Sequence, residues 1–122
     1  MLVGLGAIGM GYDLDFPAAE HIRTHARAFQ QHEAFSLLAA GADALKLFPA
    51  EAASPSVLRG IRAVLPSATM VLPVGGIDAD NMRPWLQAGA AGFGIGSSIY
   101  RAGDNAETVA AKAARLVAAL HG

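Results

Sequence analysis

The 122 residues predict an α/β chain in which short buried strands alternate with helices. Three observations carry this reading. Apolar runs stand at Ala44 to Phe48, Met70 to Val74 and Phe93 to Ile95, each is followed by residues of helical spacing, and glycine or proline marks most junctions. Strands linked through helices pair in parallel with right-handed crossovers. Parallel strands covered on both faces read as continuous hydrophobic runs, as these do.

Taken in order, Ala34 to Ala40 has helical composition and stops at Gly41, a natural residue just past a helix end. Ala44 to Phe48 is the first strand of the regular part, ended by Pro49. Ser54-Pro55 opens the next helix, with serine as cap and proline in the first turn. Val57, Leu58, Ile61, Val64 and Leu65 give it an apolar face, and Pro66 ends it. Met70 to Val74 closes on Gly75-Gly76. Asp78 or Asp80 then caps a short helix carrying Met82, Trp85 and Leu86, ending near Gly89. Phe93 to Ile95 runs into Gly96-Ser97-Ser98. Asp104 or Asn105 caps a last helix with Val109, Ala113, Leu116, Val117 and Leu120 on one side.

Composition narrows the function classes. A net charge of −1 gives no electrostatic reason to expect nucleic acid or an anionic membrane as partner. The absence of cysteine excludes disulfides and thiolate chemistry and is compatible with a cytoplasmic home. The opening MLVGLGAIGMG lacks a basic flank and is too short to span a bilayer, so neither a signal peptide nor an anchor is expected. His21, His25 and His32 cluster before residue 33, and a helix would put His21 and His25 on one side, but with no HExxH pattern and no third ligand for that pair no metal is expected.

Lys46, one of two lysines in the chain, stands inside Ala44-Leu45-Lys46-Leu47-Phe48. An ammonium buried there without a partner is unfavourable by roughly several kcal/mol, so it either reaches water or is used. Strand alternation puts Ala44, Lys46 and Phe48 on one face and Leu45 and Leu47 on the other. An apolar setting favours the free amine that nucleophilic lysine chemistry requires. The glycine turns after the last two strands suit phosphate, which backbone N–H groups and serine hydroxyls can cradle. Glycine-rich strand ends of this kind favour a barrel over an open doubly wound sheet.

At this point a resemblance enters. Glu33-Ala34-Phe35, then GADALKLFPAE over 41–51, Pro73-Val74-Gly75-Gly76-Ile77, and Gly94-Ile95-Gly96-Ser97-Ser98-Ile99-Tyr100-Arg101-Ala102-Gly103 resemble, in order and spacing, the 2-keto-3-deoxy-6-phosphogluconate and phosphogalactonate aldolases. Ser54 to Leu65 and Ile99 to Gly103 look closer to the phosphogalactonate enzymes. The resemblance implies a class I, Schiff-base aldolase on a (β/α)8 barrel. It implies a homo-oligomer, usually a trimer, that needs no metal and no cofactor. Its substrate would be a small phosphorylated keto-deoxy sugar acid, cleaved to pyruvate and glyceraldehyde 3-phosphate. This chain would supply strands six to eight of that barrel, its C-terminal part. Carried over by resemblance, Lys46 is the catalytic lysine, and Phe48 lies beside the pyruvyl part. Gly75, Gly76, Gly96, Ser97 and Ser98 contact phosphate or substrate. Glu51 reads as a loop or capping residue more than a proton carrier, and Arg101 as a solvated arginine or a phosphate neighbour.

The resemblance covers residues 33–122, so residues 1–32 form a separate, non-matching segment. Within it Gly4-Leu5-Gly6-Ala7-Ile8-Gly9 fits the spacing G-x-G-x-x-G, but only three residues precede it, and dinucleotide binding is not expected. Asp15 to His32 has local helical propensity. Where the family has a fifth-strand motif like Pro-Gly-Val-Ser-Thr, this chain has Arg27-Ala28-Phe29-Gln30-Gln31. A one-base shift of reading frame could conceal that motif. The family's general base, a glutamate on an early strand, also has no counterpart here, which predicts a truncated chain weak or inactive alone. Two alternatives stay open: a phosphate-binding barrel enzyme without a Schiff base, and a non-catalytic barrel fragment that only self-associates.

Overall fold

The computed structural model describes residues 4–8 and 31–122. Their order is β1 (Gly4–Ile8), α1 (Gln31–Ala39), β2 (Ala44–Phe48), a 3-10 turn (Ala50–Ala52), α2 (Pro55–Val64), β3 (Met70–Pro73), α3 (Met82–Gln87) and α4 (Ala106–His121). The strands form one sheet in the order β1-β2-β3. Strands β2 and β3 are parallel, with Leu45 beside Val71, Lys46 beside Leu72 and Leu47 beside Pro73. The expected helix over 15–32 lies, up to residue 30, outside the described residues, as do His21 and His25.

Two expectations require correction. First, residues 4–8, for which no strand is expected, form one: β1 runs antiparallel to β2, with Gly6 opposite Lys46 and Leu5 opposite Leu47, while the strands linked through a helix, β2 and β3, pair in parallel as expected. Strand β1 pairs with main-chain groups that would otherwise leave β2 an open edge. The first five residues of G-x-G-x-x-G are themselves the strand. Second, Phe93 to Ile95 is not a full strand. A single parallel bridge, Val74 to Gly94, joins it to the sheet. Ala91 N–H donates to the Val71 carbonyl and Gly94 N–H to the Pro73 carbonyl, so this stretch runs alongside β3. The approach is so close that a Cβ on Gly94 would lie 2.5 Å from Val74 Cγ2. Beyond Ile95 the backbone turns, with Ile99 and Tyr100 N–H groups bonded to the Gly96 carbonyl, and the ladder has no room to extend.

Helix ends follow local chemistry. At the end of α1, Gly41 N–H bonds to the Leu38 carbonyl and Ala42 N–H to the Leu37 carbonyl, a Schellman ending that needs the positive φ of Gly41, +93°. The same pair of bonds ends α3, from Gly89 to Leu86 and Ala90 to Trp85. Ser54 caps α2 through its side chain and the Val57 N–H, and Asn105 caps α4 through the Thr108 N–H. Before α3, Asp78 Oδ1 accepts the N–H groups of Asp80 and Asn81 and the Asp78 carbonyl accepts that of Met82, so the capping falls to Asp78, while Asn81, just ahead of the helix, makes no side-chain cap bond.

The core lies between one sheet face and α2, α3 and α4. Leu45, Leu47, Leu58 and Val71 are fully buried there, packed with Ile61, Ile77, Met82, Trp85 and Leu116. Val64, Val117 and Leu120, expected on core faces, are exposed instead. The last two line an apolar groove of about 240 Å³ with Phe93, Ile95 and Ile99. Among the described residues no helix is long and apolar enough to cross a membrane.

Candidate functional site

Alternation along β2 sends Leu45 and Leu47 into the core and Lys46 and Phe48 to the opposite sheet face. Lys46 is half-buried and Phe48 is 45% exposed. The Lys46 ammonium stands over the Phe48 ring, 4.8 Å from its centroid. A cation over an aromatic face at such a distance gains about 0.5–1 kcal/mol at an accessible site. The hydrocarbon beside Lys46 is therefore Phe48 and its β3 neighbour Leu72, not the two leucines adjacent in sequence.

The turn after β3 holds Gly75 and Gly76, both at positive φ, +108° and +68°. Ala50 N–H donates to the Val74 carbonyl at 2.8 Å, which draws the turn after β2 against the glycines. Glu51 lies over both of them. A Cβ on Gly75 would be 2.9 Å from Glu51 Oε1, and one on Gly76 2.6 Å from Glu51 Oε2. Phe48 Cδ2 lies 3.4 Å from that same Gly75 position, so the glycine turn, Glu51 and the Phe48 ring meet on one side of the sheet. A cavity of about 240 Å³ opens beside them, lined by Glu51, Ser54, Gly75, Gly76, Asn81 and Trp85 among others.

Replacing Gly75 by alanine tests this packing. The new Cβ would meet the Ala50 backbone nitrogen at 3.3 Å, and that nitrogen is fixed by its bond to Val74. With the positive φ added, the expected loss is about 1–3 kcal/mol in a denaturant titration. A change below a few tenths would show that the turn relaxes freely.

The strand-end loops are tied together. Ser98 Oγ donates to the Ile77 carbonyl at 2.6 Å, and Asn81 Nδ2 to the Gly76 carbonyl at 2.7 Å. Ser98 thus holds the two loops in register, whereas Gly96 and Ser97 are exposed at the turn. Among the described residues, no backbone carbonyl accepts the N–H groups of Gly96, Ser97 or Ser98, which leaves them available to an anion. Arg101 is exposed and folds back, its Nε donating to the Ser97 carbonyl at 3.3 Å. Sequence reasoning missed two features of this cluster: that Glu51, a loop residue as expected, lies over the glycines, and that Asn81 belongs to it. The polar run Asp78, Asp80, Asn81 directly after Gly-Gly was the available signal for the second.

Behind Arg101, Asp104 accepts hydrogen bonds from the Lys112 ammonium and the Arg101 N–H. The Lys112 bond, then the Arg101 bond, hold its carboxyl below the ordinary 3.8. A carboxyl depressed on folding adds stability in full above that ordinary value and loses it as pH falls through the lower, folded one. Asp104→Asn should therefore flatten the acid limb of melting temperature, below the ordinary 3.8. An unchanged acid limb would remove Asp104 from the balance.

Among the described residues no group of three His, Cys, Asp or Glu could hold a metal ion. No family model matches the chain. Individual proteins do. The 2-dehydro-3-deoxy-6-phosphogalactonate aldolase of Escherichia coli K12 is 48% identical over 87 residues, 71% of this chain and 42% of the relative. A probable aldolase of the same name from Rhizobium meliloti is 41% identical over 91 residues, 75% of this chain and 43% of the relative. A solved structure described as native KDPGal superposes with a TM-score of 0.73 at 46% identity, covering 75% of this chain and 45% of that one. A thiamine phosphate pyrophosphorylase from Pyrococcus furiosus superposes at 0.59 with 25% identity, over 90% of this chain and 56% of that one. Sequence and backbone together make this chain a partial relative of the 2-dehydro-3-deoxy-6-phosphogalactonate aldolases, spanning under half the length of the curated members it matches.

Proposed function

We propose that residues 33–122 carry the Schiff-base and phosphate-binding part of a 2-keto-3-deoxy-6-phosphogalactonate aldolase. In this reading β2, β3 and the stretch at Gly94 are strands six to eight of a (β/α)8 barrel, and residues 1–32 are a separate segment. The observation that carries it is the placing of Lys46. Its amine emerges on the sheet face opposite the core, beside Phe48, and Phe48 in turn touches the Gly75 turn.

The chemistry balances on that amine. Lys46 nitrogen bonds to C2 of the keto acid, and the carbonyl oxygen leaves as water. The protonated imine then accepts the electron pair of the C3–C4 bond as the C4 hydroxyl gives up its proton to a base. Glyceraldehyde 3-phosphate departs, the enamine takes a proton at C3, and water releases pyruvate and the free lysine. The phosphate lies on the N–H groups of Gly96 and Ser97 and at Gly75-Gly76. There it takes the place of the Glu51 carboxylate, since two anions cannot share one cradle. Phe48 packs on the pyruvyl carbons, and Ser98 keeps the two loops together.

Incubation with pyruvate and cyanoborohydride tests this reading. A reduced pyruvyl adduct is expected on Lys46 by peptide mapping, and none there rejects the Schiff base. The likeness to the pyrophosphorylase favours a second reading, a phosphate-binding barrel without an imine. Inorganic phosphate protection of the glycine loops, with no adduct on Lys46, would select it. A homo-oligomeric, cytoplasmic enzyme is part of the proposal. The oligomeric part draws support from a second solved structure at TM-score 0.73 and 46% identity, a cage designed by fusing symmetric oligomeric domains. Light scattering on the purified chain checks the assembly.

A further inference from the structure

The two neighbours of Lys46 in the sheet differ in bulk. On β3 its neighbour is Leu72, a branched apolar side chain. On β1 the residue directly opposite is Gly6, and Gly4 stands opposite Phe48. Directly opposed residues of an antiparallel pair share a face, with side chains about 5 Å apart where both have one. Two glycines therefore replace what would be side chains beside the amine and beside the ring. Glycine in a strand interior weakens the strand, and its usual reason is the close approach of a ligand or another backbone. The spacing Gly4-Leu5-Gly6 repeats every second residue, so both absences fall on the Lys46 face while Leu5 and Ala7 stand opposite Leu47 and Leu45.

We propose that Gly4 and Gly6 form the wall of the keto-acid pocket, and that their missing side chains set which acids can reach Lys46. This rests on the Schiff-base reading. When the amine nitrogen bonds to C2, the carbonyl oxygen leaves as water with one amine hydrogen and a proton taken up, one hydrogen stays on the protonated imine, and the imine carbon must lie flat beside the lysine. That carbon bears a carboxylate on one side and an alkyl group on the other, so it needs clearance along the sheet. Leu72 closes the β3 flank, which directs the acid over the backbone of β1. The five-residue run thus has a use in the site that nucleotide binding did not supply.

The test compares Gly6→Val with Ala7→Val in the full chain. Each adds a β-branched side chain, one opposite Lys46 and the other opposite Leu45 on the other face. Two reactions on Lys46 are followed by peptide mapping under cyanoborohydride: pyruvate addition, and methylation by formaldehyde, a one-carbon reagent needing little room. Gly6→Val should slow the pyruvate adduct at least tenfold and leave methylation within twofold of the parent. Ala7→Val should change neither by more than twofold. Where Gly6→Val fails to fold by circular dichroism, Gly6→Ala replaces it, with a threefold or greater slowing expected. Pyruvate addition at the parent rate in the Gly6 variant overturns the inference. Equal slowing by Ala7→Val, or equal slowing of methylation, overturns it too, because the strand would then have moved as a whole. A parent chain that is methylated but takes no pyruvate brings down the Schiff-base reading itself, a result distinguishable from the others.

Discussion

Exchanging Lys46 for methionine should abolish the pyruvate adduct at that position while leaving the fold intact. Methionine matches the apolar stem of lysine, keeps contact with the Phe48 ring through its sulfur, and has no amine to condense. Because Lys46 is half-buried and its ammonium has one aromatic neighbour, stability should stay within about 0.5 kcal/mol of the parent. Lys46→Arg is the sharper companion. A guanidinium preserves the charge and the stacking on Phe48, yet stays protonated and forms no imine under these conditions. Both variants should therefore lose trapping completely. Lys112, the other lysine, is held by Asp104 at the foot of α4 and serves as an internal reference for reagent strength. A Lys46→Met chain that still accumulates a reduced pyruvyl adduct would place the chemistry on another amine.

That prediction was readable from the sequence because strand alternation is strictly local. Leu45 and Leu47 had to face one way, and so Lys46 and Phe48 had to face the other. Helix ends were equally legible: Gly41 and Gly89 end their helices as positive-φ residues, and Ser54 and Asn105 cap theirs. What stayed hidden depends on partners distant in sequence. Gly4 to Ile8 carries loop-like glycines, and only its pairing with β2 makes it a strand, since β-structure is decided by neighbours more than by intrinsic preference. Phe93 to Ile95 has strand-like residues but a single bridge, because Gly94 presses on Val74 and the backbone then turns at Gly96. Glu51 was read as a loop residue. Its position over Gly75-Gly76 follows from the Ala50 to Val74 hydrogen bond, which joins residues more than twenty apart and leaves no trace in spacing. Asp78, one of the two aspartates expected to cap, does so: its side chain accepts the N–H groups of Asp80 and Asn81 in the turn that leads into α3.

The largest loss of stability should come from the residue next to the lysine, on the other face of the same strand. Leu45 is 0% exposed and sits in the middle of the sheet, with Val71 beside it on β3. Its cluster, with Leu47, Leu58 and Val71, is the part of the core that holds β2 against the helices. Truncation to alanine removes three carbons from a site where the surrounding backbone is fixed by ladders on both sides, so the cavity cannot close fully. A destabilisation of about 2–5 kcal/mol is expected, against a total of roughly 5–15 kcal/mol for an ordinary domain. Leu120→Ala, at an exposed position of α4, should change stability by no more than about 0.5 kcal/mol in the same urea titration. The chemistry separates packing from catalysis. At a low temperature where Leu45→Ala is still folded, Lys46 should take pyruvate at near the parent rate, since the amine lies on the opposite face. On warming, reactivity should fall together with the circular dichroism signal. A Leu45→Ala chain within 1 kcal/mol of the parent would mean that β2 is not anchored through this face, and the position of Lys46 would then need another support.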